Sequence, residues 1–506
     1  MLLRPGETCW RVERADRVAL LMENAAYFKA LEAALPLARK SITLLGWQFD
    51  PRTRLDPEGP AHDRGGEVGF LLRRLVRERP ELQVRILIWR SPLPIAWSQD
   101  FFPQRSGAWF RKNKGIDFRL DRARPLGACH HQKVLVIDDV LAFCGGGDIA
   151  VDRWDTDEHL DRDPRRCTPA GLICSPRHEV MTLIAGPAAS ALGDLARERW
   201  RLATDEVLEP CPPQEPIWPE GIAPDLTNVT LGIARTEPEW RGHPEVRENE
   251  ALHLEAVARA ERLIYLENQY VTSPVIAAAL AERLQQPEGP EVVIVSTGKS
   301  PSWFDQATMD SARLALLGRL RAADRHGRFS AWMPLTEGRK PVIVHSKVSV
   351  VDDRFLRVGS TNLNNRSAGF DTECDVAVEA RPDDRDSVDF IRRFRLKLLS
   401  HFLACEAEDL HRLHQDGGSL AEAIRTANRR GRLAAIDRPP GRVSLLMSEW
   451  QLGDPGTTRD AWRPWRRGRL SHRLIDTVRL GQAEAEAEAE AGASAGSISK
   501  STISGR

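Results

Sequence analysis

One polar pattern occurs twice in this chain, and it limits the fold more than any other feature. HHQKVLVIDDVLAFCGGGD (130–148) and HSKVSVVDDRFLRVGSTN (345–362) both read H-x-K-x4-D-x6-G-[GS]-x-[DN], with every element of the second copy 214 residues beyond the first. The first copy supplies His131, Lys133, Asp138, Gly145, Gly146 and Asp148; the second supplies His345, Lys347, Asp352, Gly359, Ser360 and Asn362. The H-x-K-x4-D core alone is expected by chance roughly 0.02 times in such a chain. Lysine adds weight to the match, because ten lysines stand against 62 arginines. A duplication kept only for packing would preserve apolar positions and would have no need of a histidine and a rare lysine.

The repeat extends beyond the motifs. Residues 24–40 have helical periodicity and run into the strand-like 41–50; residues 248–261 and 262–270 repeat that order. VRILIW (84–89) has its counterpart in EVVIVS (291–296). At 506 residues the chain is too long for one ordinary core, so two α/β lobes of similar design are expected, over 1–204 and 229–440. The proline-dense segment 205–228 reads as the linker between them. Residues 441–506 form an extension with a Trp/Arg-rich stretch at 461–473, and a low-complexity tail from about 482 is expected to be disordered.

Lys+Arg and Asp+Glu are both 72, so no global positive field draws the chain to nucleic acid. Eight cysteines without zinc spacing read as unpaired thiols, with Cys167 and Cys174 near enough in sequence to pair. Charges interrupt the N-terminal segment where a signal peptide is apolar, and no apolar run is long enough to span a bilayer. A cytoplasmic or peripheral membrane location is expected, with a non-Sec export route still open. The acidic run 152–163 departs from a calcium-loop pattern and reads as a solvated loop. Lone histidines such as His178 call for no special reading.

The motif spacing suggests its own chemistry. KVLVI and KVSVV are strand-like, and the Asp-Asp that follows each is a tight turn into an antiparallel partner. Residues two apart share a strand face, so His131 and Lys133 point together, as do His345 and Lys347. Asp138 and Asp352 fall at the turns, where they hold the hairpins. Gly145-Gly146 and Gly359-Ser360 let backbone and polar groups approach an anion, with Asp148 and Asn362 at its edge. Two histidines suit a two-step displacement at phosphorus: one attacks and one protonates the leaving alcohol. The lysines would neutralise the non-bridging oxygens. This chemistry requires no cofactor, and no metal-ligand spacing demands an ion. Each imidazole needs a carboxylate to set its tautomer. Aligning RHEVMTLIAGP (177–187) with ECDVAVEARP (373–382) pairs Glu179 with Asp375, and Glu373 is a rival on the same strand face. Trp47 and Gln269 hold equivalent places in the repeat and are candidate lining residues.

These motifs, with GWQFDPRTRL (46–55), YLENQYVTS (265–273) and NLNNRSAGFDTECDVAVE (362–379), resemble the phospholipase D superfamily over about residues 38–405. The resemblance implies an α/β fold of two similar lobes, each a mixed β-sheet flanked by helices. A pseudo-twofold axis would relate them, with the active site at their interface, so that a monomer suffices. It further implies hydrolysis of phosphatidylcholine, phosphatidylethanolamine or a similar phospholipid to phosphatidic acid through a phosphohistidine, with transfer to alcohols. By that analogy His131 is the nucleophile and His345 the general acid. The alternatives are a phosphatidyl transferase similar to cardiolipin synthases and a non-catalytic lipid-binding scaffold.

Overall fold

The computed structural model describes residues 1–58, 66–91, 103–212, 214–381, 383–414, 418–439, 441–451 and 453–458. The Trp/Arg-rich stretch and the low-complexity tail lie outside the described residues. One sheet of 16 strands carries the molecule, and its strand order reads as two mirrored halves. From the central edge outward, the first half runs Arg11–Met22, Val180–Ala185, Leu141–Gly145, Val134–Ile137, Ser41–Gly46, Gln83–Trp89 and Ile116–Asp121. The second runs Leu226–Glu237, Glu373–Glu379, Phe355–Gly359, Lys347–Val351, Leu263–Asn268, Glu291–Ser296 and Phe329–Pro334, with Leu433–Ala435 added at its rim and Val246–Arg247 beside Leu226–Glu237. Arg11–Met22 and Leu226–Glu237 pair antiparallel and join the halves.

The halves also pack face to face. Val134, Val136, Ala142 and Cys144 from the first share one apolar cluster with Val348, Val350, Val358 and Val376 from the second. Cys144 Sγ lies 3.8 Å from Cys374 Sγ, yet all eight cysteines are free thiols. Helices cover the outer faces in equivalent places: Asn24–Ala34 with Glu248–Arg259, Val68–Glu78 with Pro274–Gln285, and Pro187–Thr204 with Arg385–Leu403. The first of these is shorter than its periodicity predicts, because Pro36 tightens the chain into a 3₁₀ turn at Leu35–Leu37.

Two boundaries differ from expectation. The linker is irregular from Asp205, but residues 226–228 already belong to the strand Leu226–Glu237. Part of the C-terminal extension is built into the fold. Helix Arg442–Trp450 is followed by a buried Asp454, whose carboxylate accepts hydrogen bonds from Thr272 Oγ1 (2.7 Å), Asn365 N (3.0 Å) and Arg366 N (2.9 Å).

The tight turns form as the sequence predicts. Asp138-Asp139 and Asp352-Asp353 take φ of 52°, 57°, 54° and 55°, the left-handed pair of a hairpin turn that suits the strands' twist. Each leading aspartate grips the start of a neighbouring strand rather than its own hairpin. Asp138 accepts from the backbone N–H of Arg39, Lys40 and Ser41 at 2.6–2.8 Å, and Asp352 from those of Glu261, Arg262 and Leu263 at 2.8 Å.

Candidate active site

His131 and His345 sit just before the first hairpin strand of each motif. Two short backbone contacts across the pseudo-twofold determine what stands beside them. His131 N donates to Thr372 O (3.0 Å), and His345 N donates to His178 O (2.8 Å). The next residues along those partner segments are Glu373 and Glu179. Each imidazole is therefore placed against a carboxylate of the opposite half. His131 Nδ1 lies 2.9 and 3.0 Å from the two Glu373 oxygens, and His345 Nδ1 lies 2.5 Å from Glu179 Oε2.

This corrects the expected pairing. Gly145 registers with Met181 and Gly359 with Asp375, so Asp375 is the counterpart of Met181, and Glu373 that of Glu179. Asp375 touches neither histidine. Its carboxylate pairs with the buried Arg357 guanidinium and accepts from Ser360 N (2.8 Å) and Thr361 N (3.1 Å). The sequence alignment slipped by two residues, which preserves strand face and so looks acceptable.

The glycines serve close packing rather than an anion. A Cβ on Gly145 would meet Met181 Cα and Val180 O at 2.8 Å, and one on Gly359 would strike Asp375. A Cβ on Gly146 would collide with the Glu179 carboxylate. At the equivalent position Ser360 instead donates its hydroxyl to Glu373 Oε2 (2.5 Å), and Ser367 donates to Glu373 Oε1 (2.5 Å). The two dyads therefore differ: Glu373 accepts two hydroxyls that Glu179 lacks. Asp148 accepts from Trp47 N (2.9 Å) and Gln48 N (3.2 Å) and stands 3.5 Å from Lys133 Nζ, so it positions the lysine. Asn362 is buried, and its Oδ1 has no hydrogen-bond partner. Each lysine donates back to its own histidine's carbonyl, Lys133 Nζ to His131 O at 2.8 Å and Lys347 Nζ to His345 O. Gln269 Oε1 lies 3.4 Å from Lys347 Nζ, whereas Trp47 stacks on Trp89.

Burial sets the proton affinities. It lifts the Glu179 carboxyl to about 7 and the Glu373 carboxyl to about 8, against the pull of Lys347 on the first and of Ser360 and Ser367 on the second. Burial, and then the two lysines, holds His131 well below the ordinary imidazole range. His345 is held low by burial, Lys347, Arg177, Arg153 and Lys133. Burial also brings the Lys347 ammonium down to about 7. Each dyad thus exchanges one proton near neutrality, and that proton belongs to the pair rather than to either member.

Sequence reasoning missed several of these groups. Arg153 and Arg177 are buried cations on the His345 side, and Arg153 Nη2 donates to Gln48 Oε1 (2.6 Å). The run 152–163 is no solvated loop: Trp154, Asp155, His159 and Asp163 are buried. Ser367 falls outside the repeated pattern. Only the position of Arg153, five residues after Asp148, offered a signal.

Two α/β halves related by a pseudo-twofold thus bring a His–Lys pair from each to their interface. The chain is similar to proteins of the phospholipase D superfamily. Residues 254–395 match the family described as "Cardiolipin synthase, PLD-like domain". Phospholipase D alpha 4 of Arabidopsis thaliana is 24% identical over 487 residues, covering 73% of this chain. This chain spans 62% of that plant protein's length. Cardiolipin synthase A of Pseudomonas entomophila is 26% identical over 428 residues, covering 81% of this chain and 74% of its own length. In fold the chain is similar to the solved phosphatidylserine synthase of Haemophilus influenzae, with a TM-score of 0.53 at 15% identity, covering 83% of this chain and 94% of that one.

Proposed function

We propose that the protein is a phosphodiesterase or phosphatidyl transferase acting on glycerophospholipids through a phosphohistidine. The observation that carries this reading is the pair of crossed dyads. When Glu373 is ionised it accepts from Ser360, Ser367 and His131 Nδ1, which leaves the lone pair on His131 Nε2. Nε2 attacks phosphorus, and the P–O bond to the headgroup alcohol breaks. The dyad of His345 and Glu179 gives that alcohol its proton. In the second step the same dyad takes a proton from water or an acceptor alcohol, whose oxygen displaces His131 from phosphorus. Lys133 and Lys347 neutralise the non-bridging oxygens throughout. No step requires a cofactor.

Hydrolysis to phosphatidic acid is the leading form, with phosphatidylcholine or phosphatidylethanolamine as substrate. A transferase of the cardiolipin synthase type is the second reading. It is supported by the fuller coverage of cardiolipin synthase A, 74% of its length against 62% for the plant phospholipase D. No helix among the described residues is long and apolar enough to cross a membrane, so contact with the bilayer would be peripheral. Incubating the protein with mixed phospholipid vesicles, with and without glycerol or ethanol, distinguishes the readings by product mass. Phosphatidic acid marks the hydrolase, and cardiolipin or its alcohol-exchanged analogues mark the transferase. A folded protein that binds vesicles without turnover overturns both in favour of a scaffold.

A further inference from the structure

Behind the site lies a second cluster that the phosphoryl chemistry does not use. Glu23 ends the central strand Arg11–Met22, His159 comes from the run after the first motif, His178 directly precedes Glu179, and His401 projects from helix Arg385–Leu403. One ligand-type atom from each of these four side chains falls within 4.8 Å of all the others. Glu23 Oε1 is the focus: His178 Nδ1 is in direct contact with it, His159 Nε2 is 3.5 Å away and His401 Nε2 is 3.6 Å away.

The hydrogen bonds on the far sides of the rings make this arrangement informative. His159 Nδ1 faces Asp155 Oδ2 at 3.0 Å, and His178 Nε2 faces Glu267 Oε2 at 2.8 Å. Those carboxylates accept the outward N–H of each ring. Asp155 is itself held by Arg166 Nη1 (2.5 Å), and Glu267 by Tyr265 OH (2.6 Å) and Ser346 Oγ (2.8 Å). Inward, His178 Nδ1 is hydrogen-bonded to Glu23 Oε1, whereas His159 Nε2 and His401 Nε2 approach the same oxygen without a hydrogen bond. His159 Nε2 and His401 Nε2 are buried and have no hydrogen-bond partner. His401 is 6% exposed at its side chain and His159 0%. Buried nitrogens left without a partner cost energy, and a cation between them and Glu23 would satisfy them.

We propose that Glu23, His159, His178 and His401 bind one divalent transition-metal ion of the zinc class, as a structural centre between the two halves. Three imidazoles and one carboxylate make a closed four-ligand set of the N/O type that suits Zn(II). Bonds of about 2.0–2.1 Å put tetrahedral ligand atoms roughly 3.3 Å apart, close to the 3.5 and 3.6 Å found here. The His178–Glu23 contact has to open, and ligand atoms now up to 4.8 Å apart have to draw together. Asp155 and Glu267 are the outer carboxylates that orient metal-bound histidines. With no vacant position for substrate, the ion would stiffen the segment that carries Glu179, between strands Arg177–His178 and Val180–Ala185, rather than take part in the reaction.

The test uses the full chain, purified without an affinity metal. About one zinc per chain is expected by elemental mass spectrometry, and stripping it with a chelator should lower Tm by roughly 5–10 °C. Refilling with Co(II) should give the intense visible bands of a tetrahedral N/O centre. His401→Gln should lose the ion and those bands. If that variant does not fold, X-ray absorption of the unmutated chain decides: three imidazoles and a carboxylate support the centre, and sulfur ligation or six oxygens overturn it. Less than about half an ion per chain after zinc addition, with Tm unmoved by chelator, also overturns it.

Discussion

Replacing Glu373 by Gln tests the crossed dyad where it is most exposed to refutation. The buried Glu373 carboxylate faces three donors: His131 Nδ1 at 2.9–3.0 Å, and the Ser360 and Ser367 hydroxyls at 2.5 Å each. A carboxamide offers one acceptor oxygen and one NH2, so at least one donor is left facing a donor. The hydroxyls can share the oxygen, which turns the NH2 toward His131. Nδ1 must then accept, the ring proton moves to Nε2, and the attacking lone pair disappears. A wrong tautomer of this kind lowers turnover by about 10²–10⁴, or about 3–5 kcal/mol of barrier. The fold loses only about 1–3 kcal/mol, because the hydroxyls keep a partner. Asp375→Asn should behave in the opposite way. It leaves the buried Arg357 uncompensated, costs about 3–5 kcal/mol of stability, and changes turnover per folded molecule only a few-fold. Steady-state release of headgroup from phospholipid vesicles, normalised to the folded fraction by thermal melting, reads both effects. If Glu373→Gln keeps more than about a tenth of wild-type turnover while Asp375→Asn abolishes it, the carboxylates have been assigned the wrong way round.

Three further outcomes follow from the same geometry. The rate against pH should be bell-shaped, with apparent values near 7 and 8 belonging to the two dyads, and Glu179→Gln should remove one limb; a flat profile from pH 6 to 9 counts against shared protons. Lys347 is held down to about 7 by burial, so anion binding must restore its proton: sulfate affinity, measured by calorimetry, should weaken by up to about tenfold per pH unit above 7, and Lys347→Met should abolish that slope. Gly146→Ala drives a methyl into the Glu179 carboxylate and should lower turnover at least about tenfold in a folded protein; unchanged kinetics would mean that Glu179 can move freely.

Most of the scaffold could be read from local pattern. EVVIVS reads as a strand at 291–296 because a buried parallel strand is a continuous apolar run bounded by polar residues, and Glu291–Ser296 is the strand observed. The Asp-Asp turns were readable because few residue types tolerate the left-handed pair. The central strand Arg11–Met22 has no clear local signature, because RVERADRVALLM mixes charge into a strand whose pattern is half solvent-facing. His131, Lys133, His345 and Lys347 were visible through repetition alone. Their carboxylates were not, because His131 and Glu373 are 242 residues apart and meet only through the Thr372 contact. The cluster at Glu23, His159, His178 and His401 was hidden for the same reason: its members come from four segments with no spacing in common.

The crossing explains why two intact motifs do not make two sites. Each half contributes an imidazole and a lysine, but the carboxylate that sets its imidazole's tautomer lies in the other half, as Glu373 and Glu179. The duplicated unit therefore completes neither dyad. The interface completes both, and any rotation of one half against the other disturbs the two together. Once the pairs are crossed, a change at one position acts on the opposite histidine. Serine at 360 strengthens the acceptor behind His131, while glycine at 146 leaves the Glu179 behind His345 without a hydroxyl from that position. The hydroxyls of Ser360 and Ser367 behind Glu373, which Glu179 lacks, would under the proposed mechanism separate a base that attacks from an acid that donates, on a scaffold whose strand order remains nearly symmetric.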